Sequence, residues 1–103
     1  ATAIVESYID NPDFDVATFA REMCMSRTLL FTKLKALTGQ TPNDFILSLR
    51  LKKATEKLRN DPNALIADIA FDYGFSNPSY FIRCFKNAYD ITPAAYRRKY
   101  TNA

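Results

Sequence analysis

The chain has 103 residues, 48% of them hydrophobic, a formal net charge of +3 and no histidine. That length sets one domain, or two very small ones sharing a core, and the apolar content excludes disorder. No apolar run reaches the roughly 18 residues that a membrane span needs.

The start, ATAIVESYID, carries Glu6 and Asp10 without a basic leader, so it does not read as a signal peptide. It reads as a segment opening inside a helix, cut from a longer protein. Without histidine the usual general base is absent, and no carboxylate pair or glycine-rich phosphate loop replaces it, so no enzyme and no cofactor is expected. Cys24 and Cys84 stand alone, too few for a zinc site, and are expected as buried or half-buried thiols in a reducing cytoplasm.

Charge alternates along the chain. Residues 1–25 are acidic through Glu6, Asp10, Asp13, Asp15 and Glu22, and residues 26–59 are basic on balance through Arg27, Lys33, Lys35 and the cations from Arg50 to Arg59. Residues 60–82 carry only Asp61, Asp68 and Asp72, and residues 83–103 turn basic again with Arg83, Lys86, Arg97, Arg98 and Lys99. A pattern that occurs twice points to an internal repeat.

Apolar residues recur at helical spacing throughout, and no alternating run long enough for a strand occurs. Asp15 is placed to cap a short helix, VATFAREM, and Ser26 to cap RTLLFTKLKALT, which Gly39 ends. Thr41 followed by Pro42 opens a long helix through Asn60, with Asp44 in the first turn, where the helix dipole favours an anion. Asn60-Asp61-Pro62-Asn63 breaks the chain. A short helix around Ala70 follows, and Asn77-Pro78 and Thr92-Pro93 repeat the cap-then-proline signal for two last helices.

The second helix of each half repeats at one constant offset. It relates Ser26 to Asn77, Leu30 to Phe81, Leu34 to Phe85, Lys35 to Lys86 and Gly39 to Asp90. Each half is then a helix–turn–helix, two helices meeting through a short turn. The turn calls for a residue at positive φ, which Gly74 supplies in the second half. Cys24 holds the matching place in the first, at a cost of about 1 kcal/mol if left-handed. Small Ala70 lets the helices approach, Phe75 plugs the core behind the turn, and Tyr80, Phe81 and Phe85 are assigned to the core.

The opposite faces carry the functional signal. Thr28, Thr32 and Lys35 form one stripe with Arg27 and Phe31 beside it; Ser79, Arg83 and Lys86 form the other with Pro78 and Ile82 beside it. A solvated face seldom carries large apolar residues at the same register twice, but a DNA-reading face does. Arg83 can bridge guanine O6 and N7, Thr and Ser can bond bases, and Phe31 or Ile82 can touch a thymine methyl. Lysines and helix N-termini would hold phosphates.

The long helix, Pro42 to Asn60, is apolar on several sides through Phe45, Ile46, Leu47, Leu49, Leu51, Ala54 and Leu58, so it belongs between the two units. It spans roughly 28 Å at 1.5 Å per residue, against about 34 Å between successive major-groove sites. Its cations, Arg50, Lys52, Lys53, Lys57 and Arg59, are placed to line the DNA backbone between the grooves.

The sequence resembles the DNA-binding domain of the AraC/XylS family of bacterial transcription regulators. The residues that carry the resemblance are Ile69-Ala70, Gly74-Phe75, Tyr80-Phe81, Arg83, Phe85-Lys86, Thr92-Pro93 and Tyr96-Arg97 in the second half. Ala20, Ser26, Leu30 and Lys35 to Gly39 match in the first, and Arg50-Leu51, Ala54 and Leu58 between them. The resemblance implies an all-α fold of seven helices, with two helix–turn–helix subdomains (15–39 and 64–90), a linking helix (41–60) and a C-terminal helix (92–100). It implies recognition helices at Arg27–Thr38 and Pro78–Tyr89 in adjacent major grooves of double-stranded DNA. Base-facing residues would be Thr28, Phe31, Thr32, Ser79, Ile82 and Arg83, and backbone-facing ones Arg27, Lys35, Arg50 and Lys86. It further implies a role in activation with RNA polymerase as partner, and a longer protein that dimerises through other segments while this piece is a monomer. TLLFTKLKALTGQTPNDFI and LRLKKA are similar to the output domain of hybrid two-component regulators.

Three positions depart from the family pattern: Thr32 where arginine is frequent, Leu34 where phenylalanine is common, and Asp90 in place of glycine. The first recognition helix therefore offers fewer strong donors, and the second is expected to supply more of the hydrogen-bond specificity. The competing reading is a helical protein-interaction module that has lost DNA binding.

Overall fold

The capping residues close their helices as expected in the computed structural model, which describes residues 1–101. Among the described residues there are seven helices and no strand: α1 (Thr2–Ser7), α2 (Val16–Glu22), α3 (Arg27–Thr38), α4 (Pro42–Asn60), α5 (Ile66–Asp72), α6 (Pro78–Tyr89) and α7 (Pro93–Thr101). Asp15 Oδ1 accepts from the Thr18 amide at 2.9 Å, Ser26 Oγ from Leu29 at 3.1 Å and Thr41 Oγ1 from Asp44 at 3.2 Å. Asn77 Oδ1 accepts from both Ser79 (2.7 Å) and Tyr80 (3.2 Å). Each takes up an amide that the first helical turn leaves without a partner.

Both helix–turn–helix turns use one geometry. Cys24 (φ 56°) and Gly74 (φ 88°) are left-handed. The next amides, Met25 and Phe75, reach back to the carbonyls of Ala20 and Ala70, each at 2.9 Å. This is the Schellman ending, in which one left-handed residue lets two orphan carbonyls be satisfied. The second turn is one residue longer, since Ser76 stands between Phe75 and the cap Asn77. The exits of α3 and α6 also match: Gly39 (φ 75°) and Asp90 (φ 62°) are left-handed, and their amides bond Lys35 and Lys86 carbonyls.

Two cores result. Val5, Phe14, Phe19, Ala20, Leu30 and Leu34 pack on Phe45 and Ile46 of α4; Ile69, Ala70, Phe75, Phe81 and Phe85 pack on Leu51, Ala54 and Leu58 farther along the same helix. Each end of α4 is thus buried in a different subdomain, which is why its sequence is apolar on several sides. The molecule measures 45 × 23 × 22 Å, long enough to reach along more than one groove repeat of about 34 Å. α7 closes the second core, with the Tyr96 ring edge-on to Phe85 at 5.5 Å and the Tyr96 hydroxyl accepting from Arg59 at 2.7 Å.

Two core assignments are corrected. Tyr80 is 44% exposed: its ring packs at the margin of the second core, 6.1 Å from Phe75. Cys24 is exposed, because the left-handed turn places it outside both helices, and Cys84 is half-buried.

Candidate nucleic-acid interface

The residues that fill the cores fix which sides of α3 and α6 face outward. Leu30 and Leu34 point into the first core and Phe81 and Phe85 into the second. The opposite faces present Arg27, Thr28, Phe31, Thr32 and Lys35 on α3, and Ser79, Ile82, Arg83 and Lys86 on α6, all exposed. Phe31 is 48% and Ile82 38% exposed at matched positions. Since less than half of each side chain is in water, leaving it there costs roughly 1 kcal/mol relative to full burial, in proportion to the area still exposed.

Local bonds set what each face can offer. The Thr32 hydroxyl donates to the Thr28 carbonyl at 3.0 Å, so its proton is held within α3 and only lone pairs and a methyl are left for a partner. The Arg83 guanidinium lies over the Tyr80 ring, 5.6 Å from its centroid, an arrangement that steadies it at the surface. At equivalent positions, α6 thus presents the held five-donor fork of Arg83 where α3 presents the acceptor lone pairs and methyl of Thr32. Phe31 shares a shallow cleft with Arg27, Thr28, Thr41, Pro42 and Asn43, where the N-termini of α3 and α4 converge.

Arg50 is not at this surface. It is 7% exposed, with Nη2 donating to the Asn11 carbonyl at 2.8 Å and Nη1 to the Gly74 carbonyl. Its assignment to the DNA backbone is therefore corrected: position 50 falls on the side of α4 that both subdomains cover, and burial pushes its pKa down. The neighbouring cations are also engaged within the chain. Lys53 Nζ lies 3.9 Å from Glu6, Lys57 3.4 Å from Asp61, and Arg59 donates to Tyr96, leaving Lys52 exposed. Sequence reasoning missed Tyr80 as the support for Arg83; the i, i+3 spacing of an aromatic and an arginine on α6 was the available signal. Among the described residues no cluster of three or more potential metal ligands occurs, and no helix is long and apolar enough to cross a membrane.

Residues 19–99 match the family model of a helix-turn-helix domain. Histidine kinase P4 of Formosa agariphila is 42% identical over 101 residues, which are 98% of this chain and 7% of that protein. The HTH-type transcriptional activator RhaS of Mannheimia succiniciproducens is 35% identical over 85 residues, 82% of this chain and 31% of the activator. Among solved structures, the DNA-binding domain of AdpA, a global transcriptional factor in complex with a target DNA, superposes with a TM-score of 0.86 at 27% identity. That match covers 98% of this chain and 93% of the other. The chain thus spans 7% and 31% of the two curated relatives.

Proposed function

Because the chain belongs to the AraC/XylS family of helix-turn-helix domains, we propose that it reads double-stranded DNA with α3 and α6 in adjacent major grooves. The observation that carries this reading is the doubled surface: an exposed apolar side chain, a hydroxyl and a cation at the same register of two structurally equivalent helices. Thr28, Phe31 and Thr32 face bases in one groove, and Ser79, Ile82 and Arg83 in the next. Arg83 supplies the bidentate contact to guanine O6 and N7. Arg27, Lys35 and Lys86 hold phosphates, which set register without reading sequence. The functional units are residues 15–39 and 64–90, joined by 41–60 and closed by 92–100.

In the whole protein this domain is the output end of a longer bacterial regulator in the cytoplasm, coupled to a two-component sensor and acting as an activator that meets RNA polymerase. The names of the kinase and activator relatives support that setting. Dimerisation belongs to segments outside this chain.

Selection of bound sequences from a random duplex library, followed by anisotropy of the winner across a salt series, tests the reading. Two short motifs about one helical turn apart are expected. Three phosphate-bound cations give a log–log salt slope of about −3. No enrichment and no salt dependence would move the assignment to a protein-interaction module.

A further inference from the structure

The linking helix sets the distance between the two reading heads, but a helix alone does not set their rotation about its axis. The two cores grip α4 separately, one around Phe45 and Ile46 and the other around Leu51, Ala54 and Leu58. Arg50 stands between these two sets, and its guanidinium reaches both subdomains. One nitrogen bonds Asn11, in the loop between α1 and α2 of the first subdomain, and the other bonds Gly74, in the turn between α5 and α6 of the second. We propose that Arg50 is a latch fixing α3 and α6 at one relative orientation, and that it thereby selects the spacing between the two DNA motifs. The spacing clause rests on the two-groove reading above.

Three observations support the latch. The side chain carries a buried charge, yet among the described residues no carboxylate lies within ion-pair distance of it, and its Nε is buried without a partner. An unpaired charge is costly to bury, so its placement is held by the two charge-assisted bonds to carbonyls. Those carbonyls come from residues 39 and 24 positions away in sequence, one on each side of the subdomain boundary. Finally, Gly74 comes so close to the first subdomain that an added Cβ would meet the Ile9 carbonyl oxygen at 2.5 Å. The two heads therefore touch backbone to backbone at the point the guanidinium bridges. A planar fork can hold two carbonyls at a fixed angle, which a lysine ammonium cannot.

The test needs no DNA in its first arm. Spin labels at Lys33→Cys and Asn87→Cys, exposed on α3 and α6, are placed in a Cys24→Ser, Cys84→Ser background. Pulsed dipolar spectroscopy then gives their distance distribution. One narrow distance is expected with Arg50, a broad or displaced one with Arg50→Met and with the charge-preserving Arg50→Lys, and no change with Lys52→Met. A broad distribution in the Arg50 chain, or an unchanged one in Arg50→Met, overturns the latch. Should Arg50→Met fail to fold, slow exchange of the Arg50 guanidinium protons supports the latch and fast exchange overturns it.

The second arm measures affinity for two-motif duplexes with base pairs inserted between the motifs. The Arg50 chain loses about tenfold on insertion of two base pairs and Arg50→Met less than about threefold, because a loosened linkage tolerates more spacings. An equal loss in both chains overturns the spacing role. If no duplex binds at all, the DNA reading fails, and the spectroscopic arm still decides the latch.

Discussion

The Arg50 guanidinium fills the space a side chain on Gly74 would need: a Cβ there would lie 2.6 Å from Arg50 Cζ. Gly74 is thus required twice, once for its left-handed φ of 88° and once for the approach of Arg50 and the Ile9 carbonyl. Gly39 is left-handed as well (φ 75°), but nothing lies within 4 Å of the Cβ it lacks.

The two glycines separate backbone strain from crowding. Gly39→Ala meets only the left-handed penalty and should cost about 1–2 kcal/mol. Gly74→Ala adds overpacking against a buried cation and should cost roughly 2–5 kcal/mol. Urea unfolding of the two variants measures the difference; equal losses would show that the close approach at Gly74 carries no energy.

Cys24 bears the same left-handed strain with a side chain (φ 56°). Because the residue is exposed, Cys24→Gly removes strain without leaving a cavity. It should raise stability by up to about 1 kcal/mol, the relief being partly offset by the extra freedom glycine has in the unfolded chain. A thermal midpoint raised by up to about 4–8 °C is the expected readout for a domain of this size.

The two faces should fail differently on mutation. Arg83→Ala removes the fork held over Tyr80 and should relax preference at one base pair by about 1–3 kcal/mol. Lys86→Ala should weaken binding to all sequences alike and lower the salt slope by about 1. Selection from a random library with each variant distinguishes the two patterns. Uniform weakening by Arg83→Ala would remove it from the base-reading set.

Acid should destabilise the fold through two carboxylates, the Asp15 cap of α2 and Asp61 in the turn after α4. The Thr18 amide holds Asp15, and the Asn63 amide with Lys57 holds Asp61, below the ordinary value of 3.8. A depressed folded pKa means the unfolded chain takes up protons first, so the contribution is complete above the unfolded value and lost as pH falls through the folded ones. Denaturant midpoints should therefore hold steady against these groups above about pH 5 and drop below about pH 4. An Asp15→Asn, Asp61→Asn variant should show a shallower drop, since both positions then lack a titrating group.

The local devices of the fold were legible in the residues themselves. Asp15, Ser26, Thr41 and Asn77 cap helices because a short polar side chain before a periodic run has few better partners than the first amides. Gly74 is placed at its turn by the need for positive φ, and Cys24 and Asp90 by matching Gly74 and Gly39 across the two halves; all three are left-handed. The repeat also indicated which faces of α3 and α6 turn outward, because Leu30 with Leu34 and Phe81 with Phe85 mark the same buried register on both helices.

The sequence by itself therefore determined the helices, their caps and the outward faces, properties set by residues within a few positions of one another, and the doubled unit, which shows as one local pattern written twice. Only the tertiary structure decided what α4 does with its cations and where Tyr80 sits. Along a helix that is apolar on several sides, periodicity cannot say which polar residue falls on the covered side. Arg50 was drawn inward by carbonyls at Asn11 and Gly74, while Lys53 and Arg59 were drawn to Glu6 and Tyr96. Such partners meet only once the two cores have formed on opposite ends of one helix, and that meeting is not written in any local stretch of the chain.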